Sequence, residues 1–134
     1  MKYLIDTQIL IWFQLNSSKL SEVVRSILLD LKNEIFVSQI TLFELAIKQK
    51  IGKLPELDVS IEQLISLIKQ DKFEILFLKN EHISGYNKLE LIPDHRDPFD
   101  RLIIATAIEE NIKVISSDEK FKNFHSLIHL IENK

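Results

Sequence analysis

The acids of this chain stand where chemistry could use them, at the ends of apolar runs and at the starts of helices. Asp6 closes KYLID, Glu44 sits inside QITLFELAIKQK, Asp97 and Asp100 share HRDPFDRLIIATA (His95 to Ala107), and Asp118 follows KVISS. Carboxylates drawn to one point can hold a hard divalent cation, whereas scattered ones are helix caps and solvated surface. Other reactive systems are missing. There is no cysteine, which excludes a thiolate metal site and a disulfide framework and fits a reducing compartment. The four histidines have no metal-ligand spacing beyond HSLIH (His125 to His129), which reads as strand, so they read as surface or packing residues. Glycine-rich phosphate loops, nucleophile elbows and CxxC pairs are absent.

Each acid has a bland alternative. Asp6 ends the first expected strand, at the edge where open α/β sheets bind ligands, and it could equally cap the next helix. At about 100° per residue, Glu44 falls within roughly 40° of Ile40 and Ile51 and 60° of Ile47, inside the apolar stripe of its helix. A carboxylate there is costly unless paired, hydrogen-bonded or bound to metal. The alternative, an i,i+4 pair with Lys48, suits an exposed face better. Asp97 precedes Pro98, whose fixed φ suits the first helical position, and this makes Asp97 the N-cap. Asp100 is then the third helical residue, too short for a good capping-box partner and on the same face as Ile104 and Ala107. Capping therefore goes mainly to Asp97 and chemistry to Asp100. Asp118 can serve a site at its strand end or cap EKFKNF.

The elements that must position these residues follow from hydrophobic spacing. Strands are expected at KYLID, EIFVS, FEILFLK, KVISSD and LIHLI. Helices are expected over QILIWFQL, SEVVRSILLDLKN, QITLFELAIKQKIGKL (ending near Gly52), SIEQLISLIKQDK, HISGYNKLELIP (stopping at Pro93), DPFDRLIIATAIEEN and EKFKNF. Strands alternating with helices argue for an α/β layer structure with a mostly parallel sheet. With 134 residues, 46% hydrophobic, and two unclustered glycines, the chain reads as one domain, 1–134, without linker or repeat. The first fifteen residues are apolar, but Asp6 and Gln8 interrupt them and no small-residue cleavage site follows. Nothing approaches the roughly 20 apolar residues of a membrane span, so a cytoplasmic protein is expected. Net charge is −3, which gives no global basic field, although acids gathered around bound cations would leave the rest of the surface near neutral.

Acids in the order Asp6, Glu44, Asp100, Asp118 resemble those of the PIN-domain nucleases, and more closely the VapC-type toxins of bacterial toxin–antitoxin pairs. The resemblance spans nearly the whole chain through LIDT, VSQITLFELAIKQKIGKL, HRDPFDRLIIATA and VISSD, of which HRDPFDR with its buried IIATA helix is the most specific. It implies a three-layer α/β/α fold with a central sheet of about five strands. It also implies an acidic pocket of Asp6, Glu44, Asp100 and Asp118, with Thr7 and Ser116 as polar neighbours and Asp97 able to replace or assist Asp100 in holding metal. Hard carboxylate oxygens suit Mg²⁺ or Mn²⁺, which can acidify a water and neutralise phosphate charge. The implied reaction is hydrolysis of an RNA phosphodiester. Basic residues including Lys48 and Arg101 are candidate RNA contacts, with Arg101, beside Asp100, foremost. A homodimer and a small antitoxin partner are implied as well. The alternative is a non-catalytic PIN-like RNA- or protein-binding module. Haloacid-dehalogenase-type phosphatases would want DxD where this chain has Asp6-Thr7-Gln8, and a receiver domain would want a phosphoacceptor where it has Phe77 to Asn80.

Overall fold

Apolar runs and helical spacings give, in chain order, β1 (Lys2–Ile5), α1 (Thr7–Gln14), α2 (Glu22–Leu29), β2 (Glu34–Ser38), α3 (Gln39–Lys50), α4 (Ile61–Gln70), β3 (Glu74–Leu76), α5 (Asn80–Lys88), α6 (Pro98–Glu110), β4 (Lys113–Ser116), a 3-10 turn (Glu119–Phe124) and β5 (Leu130–Glu132) in a computed structural model that describes residues 1–134. The five strands form one sheet in the order β3-β2-β1-β4-β5, and every pair is parallel. Parallel neighbours require crossovers, and the helices that make them cover both faces.

Alternation along the strands divides the core in two. Leu4 and Val114 point to one face, where they meet Ile103, Ile104 and Phe121. Tyr3, Ile5, Ile35, Val37 and Ile115 point to the other and pack on Leu10, Val24, Leu45, Leu64 and Ile68. The result is the expected α/β/α arrangement of three layers. From β1 the chain steps outward to β2 and β3, then returns to the opposite side of β1 for β4 and β5. The carboxyl ends of β1 and β4 therefore frame the point where strand order reverses, which is where open parallel sheets leave a crevice.

Three expectations need correction. The helix expected to run to Pro93 ends at Lys88, because the segment from Leu89 to His95 is pinned by an Ile92–His95 bridge and by contacts to α6. The HSLIH segment is not strand: His125 caps the 3-10 turn and pairing in β5 begins only at Leu130. The third concerns Arg101. Its side chain is buried, donating to the carbonyls of His95 (3.2 Å), Leu89 (3.3 Å) and Glu90 (3.0 Å), and the guanidinium carbon lies 5.6 Å from the Tyr86 ring centroid and 5.7 Å from that of Phe124. Arg101 fastens the Leu89–His95 segment to α6, and at 3% exposure its guanidinium is out of reach of a nucleic-acid phosphate. Arg101→Met should destabilise the protein by roughly 2–4 kcal/mol, since three carbonyls lose a charged donor. Denaturant titration measures this, and an unchanged midpoint would return Arg101 to the surface.

Candidate active site

Five carboxylates reach the crevice at the strand-order reversal. Asp6 follows β1 and is the N-cap of α1, with Oδ1 accepting from the Ile9 amide at 2.8 Å. Across the reversal, the Ser116 hydroxyl at the end of β4 donates to Asp6 Oδ2 and accepts from the Asp118 amide at 3.0 Å. One hydroxyl thus ties together the acids that follow the two central strands. Asp118 Oδ1 accepts from the Lys120 amide (2.9 Å) and starts the 3-10 turn, so it caps as well as lining the cleft.

Glu44 comes from α3 and is 6% exposed. Thr7 donates to its Oε1 at 2.7 Å, Lys48 Nζ stands 2.9 Å from Oε2, and Thr7 is in turn within 3.1 Å of Thr41. The i,i+4 pair with Lys48 therefore exists, but it serves a buried carboxylate, while Lys48 itself is 41% exposed at the cleft mouth. On α6, Asp97 Oδ1 takes the amides of Phe99 (2.8 Å) and Asp100 (3.3 Å), the expected cap. The Asp100 side chain, 20% exposed, is free of capping duty and lines the cleft with the others.

The electrostatics show that these acids share one field. Burial pushes the Asp100 carboxyl up to about 8, and the charges of Asp97, Asp6, Asp118 and Glu44 add to the rise. Asp6 is pushed up to about 6, again chiefly by burial, with the Ser116 and Ile9 hydrogen bonds opposing and Asp118 contributing. The cleft measures about 190 Å³ and no hydrophobic residue lines it. It is smaller than the roughly 300–1,000 Å³ of organic-ligand pockets. No three acidic or imidazole groups stand close enough to grip an ion unaided. A fully chelated cation does not fit this arrangement, whereas a hydrated one does: Mg²⁺ keeps several waters and leans on one or two carboxylates plus substrate phosphate.

The structure brings Asp6, Thr7, Glu44, Lys48, Asp97, Asp100 and Asp118 to the cleft, with Ser116 beneath it, and leaves Arg101 out. Gln8, at the second position of α1, also lines the cleft. Its place beside Asp6 and Thr7 was the only signal for it. His95 fits its reading as a packing residue, but its place beside Asp100 was not foreseen. It is 1% exposed, sits between Phe121 and Phe124, and its Nε2 is 3.7 Å from Asp100 Oδ2. Its position in the HRDPFDR stretch was the available clue.

A carboxyl whose pKa rises on folding keeps a proton that the unfolded chain has released, so stability falls as pH climbs from the ordinary carboxylate range to about 8. In EDTA the melting temperature should decline across that window. Asp100→Asn should leave only the part below about pH 6 that Asp6 contributes. At neutral pH the same variant should gain roughly 1–3 kcal/mol, less than the full shift implies because solvent and counter-cations relieve part of the repulsion. A wild-type melting temperature that does not vary with pH would mean that the acids do not interact.

Comparison with known proteins agrees with this geometry. A model of the PIN domain matches residues 3–126. No curated protein matches the sequence at a significant level. Among solved structures, the chain is similar to VapBC2 from Rickettsia felis bound to a DNA fragment from its promoter, at 26% identity over 100% of both chains with a TM-score of 0.68. It also superposes on the DNA-bound VapBC of Salmonella typhimurium (18% identity, 100% of this chain and 99% of that one, TM-score 0.70). A third match is VapBC-5 of Mycobacterium tuberculosis, a member of a family of toxin–antitoxin systems (19%, 98% of each chain, TM-score 0.63). With the family model spanning nearly its whole length and carboxylates gathered at the strand-order reversal, this chain belongs to the PIN domain family.

Proposed function

We propose that the chain is a metal-dependent endoribonuclease, the toxin of a toxin–antitoxin pair, which works as a cytoplasmic homodimer and is silenced by a small antitoxin. The observation that carries the nuclease is the gathering of Asp6, Asp100, Asp118, Asp97 and Glu44 in one small polar cleft. Such an arrangement is poorly suited to an empty site and well suited to a cation. The likeness to VapBC complexes supports the toxin and its partner. No helix is long and apolar enough to cross a membrane.

In this proposal Asp6, Asp100 and Asp118 would hold a hydrated metal, one or two of them directly and the rest through its waters, with Glu44 completing the charge and Asp97 in support. A bound Mg²⁺ or Mn²⁺ supplies Lewis acidity, acidifying water and neutralising charge on the phosphate. The chain's own part is positional. Ser116 fixes Asp6 relative to Asp118, and Thr7 with Lys48 fixes both oxygens of Glu44. Lys48, exposed at the mouth, offers a positive charge to an RNA phosphate.

Purified protein should cut RNA with Mg²⁺ or Mn²⁺ and stop in EDTA, and cleavage that persists unchanged in EDTA excludes the metal mechanism. Asp100→Asn should lose at least roughly 100-fold in kcat/KM, about 2.7 kcal/mol. Asp97→Asn should lose less, because Asn is also a good N-cap. The reverse order would exchange the two roles. RNA binding without cleavage would favour a non-catalytic module. For the toxin, expression should slow growth and co-expression of the adjacent gene's product should restore it; a harmless chain with no such neighbour counts against that part alone.

A further inference from the structure

Two unmet needs lie side by side on the wall of the cleft. Asp6, Glu44, Asp97 and Asp118 each accept a hydrogen bond that orients the carboxylate, from the Ile9 amide, the Thr7 hydroxyl, the Phe99 amide and the Lys120 amide respectively. Asp100 has no such donor. The basic group within ion-pair range of it is His95, with Nε2 at 3.7 Å from Oδ2. The ring nitrogens of His95 are, in turn, the buried side-chain polar atoms that find no hydrogen-bond partner. Burying an imidazole without a partner costs free energy that a phenylalanine in the same slot would avoid.

We propose that His95 is the positioning residue for Asp100: its Nε2–H turns the Asp100 carboxylate toward the cleft and holds it there when the site is loaded. This presupposes the metal-dependent nuclease above. The gap is about 0.5 Å beyond a normal N–H···O distance, and a carboxylate with no other donor can turn to close it. The imidazole, by contrast, is held firmly. Its ring centroid lies 5.5 Å from that of Phe121 and 5.3 Å from that of Phe124, in the 3-10 turn that Asp118 caps. Its amide donates to the Ile92 carbonyl at 2.9 Å and its carbonyl accepts from Arg101. His95 is thus clamped by the element bearing Asp118 and by the helix bearing Asp100. It sets one acid relative to the other. Donors behind carboxylate ligands typically govern metal affinity by about 10–100-fold.

The test is a coupling measurement. His95→Phe fills the slot between the two phenylalanines but carries no donor, and His95→Gln places an amide nitrogen near the position of Nε2. Mn²⁺ affinity by calorimetry should fall about 10–100-fold in His95→Phe and recover most of that loss in His95→Gln. In the Asp100→Asn background, His95→Phe should cause no further loss. RNA cleavage should follow through kcat more than KM. An unchanged Mn²⁺ affinity in His95→Phe, or equal losses in both backgrounds, overturns the proposal while leaving the nuclease intact. Wild type that neither binds Mn²⁺ nor cleaves RNA overturns the nuclease and this role with it. Should His95→Phe fail to fold, imidazole ¹⁵N spectra of the wild type decide. The Nε2–H signal should be protected from exchange and should move on Mg²⁺ addition, and a signal indifferent to Mg²⁺ overturns the role.

Discussion

Carboxylates pressed into a half-buried cleft repel one another, and much of the local structure exists to hold them against that repulsion. The remedy is the same at four of the five acids: an amide or hydroxyl fixed by secondary structure points at the oxygen. Asp6, Asp97 and Asp118 obtain these donors by sitting at helix starts, where free amides are unavoidable. Capping and gathering charge are therefore one device here. The question of whether an acid at a strand end caps a helix or lines a site has the answer that Asp6 and Asp118 do both.

That device depends on strand order. Asp6 and Asp118 are far apart in sequence and meet only because β1 and β4 are neighbours at the reversal of the sheet. Glu44 arrives from the other side, since α3 follows β2, which pairs with the opposite edge of β1. The loss of Ser116 would therefore do more than remove a hydrogen bond. It would release both the Asp6 carboxylate and the Asp118 amide, while the pairing of β1 with β4 kept the two segments side by side.

The strands and helices that set this framework were legible because their period is strong. KYLID, EIFVS and KVISSD are short apolar runs, and the helices around them keep helical spacing. The inward placement of Glu44 was also readable, but partly for the wrong reason: Ile51, one of the residues thought to define its stripe, is 58% exposed, and burial on α3 instead follows Thr41, Leu42 and Leu45. Wheel geometry located the face, whereas the polar partner that makes the burial tolerable, Thr7, came from another helix and could not be read locally. The end of α5 was hidden for a related reason. The spacing in HISGYNKLELIP continues past Lys88, but the backbone leaves the helix to present the Leu89 and Glu90 carbonyls to Arg101, a partner in a later helix. Arg101 itself was misread because adjacency in sequence to Asp100 was taken for adjacency in space.

Neighbouring residues on α6 show how finely direction decides function. Asp97, Asp100 and Arg101 lie within the first turn or so, and each has a different task. Pro98 fixes the helix start, so Asp97 must face the free amides of Phe99 and Asp100. Three residues on, Asp100 lies past the cap and emerges into the cleft. One residue further, about 100° around the helix, Arg101 points into the molecule and locks the segment that carries His95. A second basic side chain beside the acids, added to Lys48, would have lowered their repulsion further and competed with a cation for them. By turning Arg101 inward, the helix leaves the cleft its excess of negative charge and uses the positive one to fasten down the imidazole that stands behind Asp100.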